Sequence, residues 1–94
     1  MNTDELKRIS IRNFLARSGI TPVRENPSGG MYLSPLRDER TASFHVDYAR
    51  NLWYDHGTGE GGSVIDLVMK LQNCTFLKAC ASLEKGPDTV LRSR

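Results

Sequence analysis

At 94 residues, 38% of them hydrophobic, the chain is long enough for one small domain with a modest core. Its apolar runs are short, Leu67-Val68-Met69 for example, whereas a membrane span needs roughly 20 residues, so no membrane partner is expected. The net charge of +2 is too small to imply nucleic acid by itself, although positive charge, mostly arginine, leans toward the first half.

The opening MNTDELKRIS mixes both charge signs and lacks the apolar run of a secretory signal, which points to the cytoplasm. Leu6, Ile9, Ile11, Phe14 and Leu15 suit one amphipathic helix, or two short ones broken near Ser10, which could cap the second. Gly19 marks its stop, with Pro22 just beyond. Residues 24–30, RENPSGG, read as a polar loop. Met31 to Leu33 is a short strand candidate, followed by a charged loop over residues 34–40. Ser43-Phe44-His45-Val46 alternates polar and apolar, and Leu52-Trp53-Tyr54 is rich in strand formers, with a link of hairpin length between them. A small antiparallel sheet of two or three strands is therefore predicted.

The glycine-dense stretch His56 to Gly62 precedes Ser63, a predicted N-cap with Asp66 in the capping-box position. Val64, Ile65, Leu67, Val68 and Leu71 make this helix apolar nearly all round, hence largely buried. Thr75 caps a last helix with Phe76, Leu77, Cys80 and Leu83 inward, and Gly86-Pro87 ends it. The domain is expected to span residues 1–86, with 87–94 a linker or frayed tail. Cys74 and Cys80 are six apart, so a helix puts them about 120° from one another, which suits two small buried thiols better than a disulfide.

Two segments carry a resemblance. SPLRDERTASF, residues 34–44, resembles the Cys-Pro-x-His-x-Glu-Lys-Thr-Pro-Ser-Phe pattern of the N-terminal zinc ribbon of bacterial-type DNA primases. Pro35, Glu39, Thr41, Ser43 and Phe44 match, and Arg40 keeps the charge of the lysine. LWYDHGTGEGGSVIDL, residues 52–67, follows the second half of that pattern: an aromatic strand, a Cys-x2-Cys knuckle, glycines, and a helix like Ile-Asp-Phe. The resemblance covers roughly residues 4–84 and extends to divergent primase-like proteins of plasmids and mobile elements. It implies an α+β fold, a small antiparallel zinc-ribbon-like sheet flanked by an N-terminal helical segment and two C-terminal helices.

The four ligand positions of the family correspond here to Ser34, Arg37, Asp55 and Thr58. A structural zinc wants thiolate or imidazole at every corner, and a guanidinium has no lone pair to offer, so no bound zinc is expected. Among nearby substitutes, His45, His56 and Asp55, residues 55 and 56 face opposite ways on a continued strand, so at most one could join His45. Arg37 and Asp55 carry opposite charges. They are expected either to pair across the old site, with the Ser34 and Thr58 hydroxyls nearby, or to turn outward into water. The glycine loop reads as a tight turn inherited from the knuckle. A phosphate cradle is the alternative, but GTGEGGS has no Walker lysine and includes a glutamate.

Aromatic residues on a sheet with arginines at its edge suit single-stranded nucleic acid, through stacking and phosphate contact. Arg37, Arg40, Arg50, Trp53 and Tyr54 are the candidate contacts; the alternative puts Phe44 and Trp53 in the core, one from each alternating pair, and leaves Tyr54 or His45 exposed beside the arginines. No Asp-x-Asp and no nucleophile triad occur, so no catalytic residue is assigned. The resemblance implies a template-positioning module of a primase-like replication protein. Single-stranded DNA would be its partner, alongside a primase catalytic domain or a helicase. The rival is a protein-interaction module that no longer binds DNA.

Overall fold

A computed structural model describes residues 2–36 and 40–85. Two short helices open the chain, α1 (Thr3–Leu6) and α2 (Ile11–Arg17). The break falls at Ser10, whose hydroxyl accepts the Asn13 N–H at 3.1 Å and starts α2. Gly19, at φ +81°, then turns the chain out of the helix.

Five strands follow: β1 (Arg24–Asn26), β2 (Gly29–Tyr32), β3 (Phe44–Asp47), β4 (Leu52–Asp55) and β5 (Glu60–Gly62). They form one antiparallel meander in the order β1-β2-β3-β4-β5. The sheet is thus wider than the two or three strands expected. The additions, β1 and β5, lie in the polar loop and in the glycine loop. Both are three-residue edge strands whose pairing comes from the hairpin geometry, because neither has an apolar pattern to announce it.

Two helices close the described chain, α3 (Val64–Gln72) and α4 (Phe76–Lys85). The Asp66 carboxylate accepts both the backbone N–H and the hydroxyl of Ser63, at 2.8 and 3.1 Å. The Thr75 hydroxyl accepts the Lys78 N–H at 3.3 Å, so both predicted caps hold their helices. Asn73, at φ +50°, ends α3. Gly86, Pro87 and the predicted tail lie outside the described residues.

The core runs from Leu6, Ile11, Phe14 and Leu15 on the opening helices, through Tyr32, Phe44, Val46 and Trp53 on the sheet, to α3. Val64, Ile65, Leu67 and Val68 of α3 are buried, as their all-round apolar character requires. In α4 the inward pair is Ala79 and Leu83. Phe76 and Leu77 were expected inside, yet they are 43% and 78% exposed. Leu77 lies two steps from Ala79, about 200° around the helix, so one packed face cannot hold both.

Side-chain hydrogen bonds help to fasten the N-terminal segment to the sheet. Asn51, in the β3–β4 turn at φ +56°, accepts the Ile11 N–H at 2.8 Å. Its amide donates to the Lys7 and Ile9 carbonyls at 2.9 and 2.8 Å. Those groups lie at the α1–α2 break, where helical partners run out.

Candidate nucleic-acid interface

Because strand residues alternate between faces, the pairing sorts β3 and β4 cleanly. Phe44, Val46, Trp53 and Asp55 point into the molecule and are at most 2% exposed. The Phe44 and Trp53 rings stack at 5.2 Å, and the Trp53 indole N–H donates to the Ser63 carbonyl at 2.8 Å. Trp53 is therefore a core residue. Of the two aromatics proposed for stacking, only Tyr54 is available, because the neighbouring position on a strand faces the other way.

The opposite face carries a row that crosses all five strands: Arg24, Met31, His45, Tyr54 and Gly61. Four spacings of about 4.8 Å make this row about 19 Å long. Tyr54 leans across Gly61, where a β-carbon would stand 3.1 Å from its ring. His56 continues the alternation, meeting Tyr54 edge-on at 4.7 Å and lying 6.5 Å from His45. Leu52 and Tyr54 are exposed, and among the described residues no helix covers this face.

The predicted arginines divide by position. Arg40 is exposed just ahead of β3. Arg50 is exposed in the β3–β4 turn, its guanidinium 3.9 Å from Asp47. An exposed pair of this kind contributes at most about 1 kcal/mol, so Arg50 can exchange Asp47 for another anion. Arg37 lies outside the described residues.

The corner corresponding to the family's ligands is a hydrogen-bonded polar cluster. Ser34 and Asp55 are both buried, and the Ser34 hydroxyl donates to the Asp55 carboxylate at 3.4 Å. The same hydroxyl accepts the Leu36 N–H at 3.1 Å. The other Asp55 oxygen accepts the Gly57 N–H at 2.8 Å, and the Asp55 carbonyl accepts Gly59 at 2.8 Å. Asp55 therefore does not turn outward into water; it ties the turn after β2 to the β4–β5 hairpin. Thr58 stays exposed, its hydroxyl accepting the Glu60 N–H within its own turn. The expected Arg37–Asp55 pair lies outside the described residues.

Two hydroxyls and one carboxylate do not fit a structural zinc, which takes four thiolate or imidazole ligands. Among the described residues, no three His, Cys, Asp or Glu side chains gather as a metal site would need. His45 and His56 lie on the open face, away from buried Asp55, as strand alternation requires. The glycine loop closes as a turn on Asp55, with Gly59 at φ +79°. The α3 N-terminus is occupied by the carboxylate of its own Asp66.

Sequence reasoning did not assign Arg24 or His56 to this face. The alternation through Tyr54 carries on to His56, which was legible. Arg24 was not, because nothing in RENPSGG shows that it pairs with β2.

Comparison with known proteins gives a consistent picture. A family model described as the CHC2 zinc finger matches residues 7–92. The DNA primase of Helicobacter pylori strain J99 is 32% identical over 66 residues, covering 70% of this chain and 12% of that protein. The DNA primase of Streptomyces coelicolor is 35% identical over 69 residues, covering 71% of this chain and 11% of that protein. Among solved structures, the zinc binding and RNA polymerase domains of the Aquifex aeolicus primase superpose with a TM-score of 0.68 at 25% identity. That match covers 90% of this chain and 21% of the other. The chain thus spans only a small part of the length of these relatives.

Proposed function

The chain belongs to the CHC2 zinc-finger family, and from that premise we propose that it is the template-DNA-binding module of a primase-like replication protein, working without zinc. The observation that carries the reading is the open sheet face. Tyr54 is exposed there for stacking, and the exposed Arg40, ahead of β3, and Arg50, in the β3–β4 turn, would supply the phosphate contacts. The buried polar corner supports the zinc-free part, since Ser34 and Asp55 hold the two turns together by hydrogen bonds.

Catalysis in this reading belongs to another domain, and a primase catalytic domain or a helicase is the protein partner. The module spans residues 1–86.

Binding of single-stranded DNA at low salt tests the proposal. Replacing Arg40 and Arg50 together by alanine should weaken it and reduce the salt slope by about 0.7 for each phosphate no longer neutralised. Wild-type protein without affinity for single strands would overturn the reading. Elemental analysis tests the metal: stoichiometric zinc, or unfolding by a chelator, would overturn the zinc-free part.

A second reading, a protein-interaction module, draws on Phe76 and Leu77, which expose apolar surface on α4. It predicts a stable protein partner and no salt-dependent affinity for DNA.

A further inference from the structure

At the β1–β2 end of the open face lies a depression of about 280 Å³, lined by Arg24, Asn26, Gly29, Met31 and His45 among others. Its floor is backbone. A β-carbon on Gly29 would stand 2.8 Å from the Val46 carbonyl and 3.2 Å from His45 Nε2, so the imidazole leans over a position only glycine leaves open. Its rim is rich in hydrogen-bond donors. The Asn26 side-chain oxygen accepts three hydrogen bonds, from the Ser28 N–H at 2.9 Å, the Ser28 hydroxyl at 2.8 Å and the Gly29 N–H at 3.0 Å. That network fixes which end of the amide is which, and it leaves the NH2 group, with two donors, uncommitted among the described residues.

The charges are sorted as well. Glu25 also lines the depression, but its carboxylate is already engaged: it accepts the Tyr48 hydroxyl at 2.7 Å and sits 3.5 Å from Arg12. Tyr48 in turn is 2.8 Å from the Tyr32 hydroxyl. Arg24 alternates with Glu25 on the strand and so faces the depression, exposed and in no ion pair among the described residues. Arg50, by contrast, has Asp47 at hand.

We propose that this depression is a one-nucleotide subsite for single-stranded DNA. Arg24 and the Asn26 amide donate to one backbone phosphate, and the attached base lies on His45 beside Met31. The next base along the row then reaches Tyr54. The proposal rests on the DNA-binding reading above and adds to it residues on β1, β2 and β3.

The test is binding of the full chain to labelled oligothymidylate, and to an oligomer of the same length made of abasic deoxyribose phosphates. His45→Ala should weaken oligothymidylate about fivefold or more, the lower end of what one stacked base contributes, and leave the abasic oligomer unaffected. His45→Phe, which keeps a ring, should retain affinity. Arg24→Ala should weaken both oligomers and reduce the salt slope by about 0.7. Circular dichroism and melting of each variant separate weaker binding from a failure to fold.

No binding by the wild type overturns the DNA reading as a whole. Binding that falls with Arg40→Ala and Arg50→Ala but survives Arg24→Ala and His45→Ala overturns the subsite alone. A last arm uses free ATP as competitor. Displacement of the oligomer by ATP, with ATP binding itself abolished in Arg24→Ala, would assign the depression to a free nucleotide and overturn the strand subsite.

Discussion

Strands β3 and β4 present two faces made of interleaved residues, and the two have opposite characters. Phe44, Val46, Trp53 and Asp55 are at most 2% exposed, and their polar atoms are satisfied inside the molecule. His45, Tyr54 and His56, one residue away in each case, touch one another across a face that no described element covers. The first set makes the fold and the second is free to meet a partner. Adjacent residues can therefore be changed with separate consequences for stability and for binding.

The sharpest contrast is between Trp53 and its neighbour Tyr54. Trp53→Ala removes a ring stacked on Phe44 and a hydrogen bond to Ser63, and should cost about 3–5 kcal/mol, enough to unfold much of a small domain. Tyr54→Ala should change stability far less, within about 0.5 kcal/mol for a surface position, yet weaken single-strand binding. Urea melts and anisotropy titrations of the two variants read both halves. A Tyr54 variant that loses stability as Trp53→Ala does would erase the distinction between the faces.

A smaller effect comes from the polar corner. Asp55→Ala removes the acceptor of the Ser34 hydroxyl and of the Gly57 N–H, and should cost about 1–3 kcal/mol. Under the zinc-free reading, a chelator should leave the wild-type melting temperature where it was. A chelator-dependent shift would mean that hydrogen bonds are not what holds this corner.

Asn51 gives the next test. Asn51→Gly keeps the backbone free to adopt φ +56° while removing all three hydrogen bonds to the opening helices. We expect a loss of about 1–2 kcal/mol, with faster amide exchange concentrated in residues 7–15. Exchange that rises evenly over the whole domain would show that the opening helices and the sheet unfold as one unit.

The smallest effect should be that of Arg50→Ala on stability, at most about 1 kcal/mol because its partner Asp47 is part of an exposed pair. Its effect on DNA affinity should exceed this. Equal, small effects on both would leave Arg50 outside the interface.

Several features were legible because their signals are local. Ser10, Ser63 and Thr75 announce helix starts through side chains that reach groups three residues away. The alternation in β3 and β4 separates core from surface, and α3 is apolar enough that only burial suits it. The matches over residues 34–44 and 52–67 indicated the family, since their order and spacing record the ribbon itself. The arginines of the candidate interface were legible by type, but their surroundings were not.

What the sequence by itself determined, then, is the helices and the central strands, which family they compose, and that four ligand positions hold Ser34, Arg37, Asp55 and Thr58. Only the tertiary structure decided the rest. It paired RENPSGG and the glycine loop into edge strands, because a three-residue edge strand is specified by its neighbour's hydrogen-bonding edge more than by its own side chains. It turned Leu77 outward, because a helix of mixed composition takes its inward face from what it packs against. It buried Asp55 with Ser34, since a carboxylate enters a core only where hydrogen bonds meet it. And it set Arg24 and His45 around one depression, on either side of Met31 and 21 residues apart in the chain, a neighbourhood that exists only once three strands have found their register.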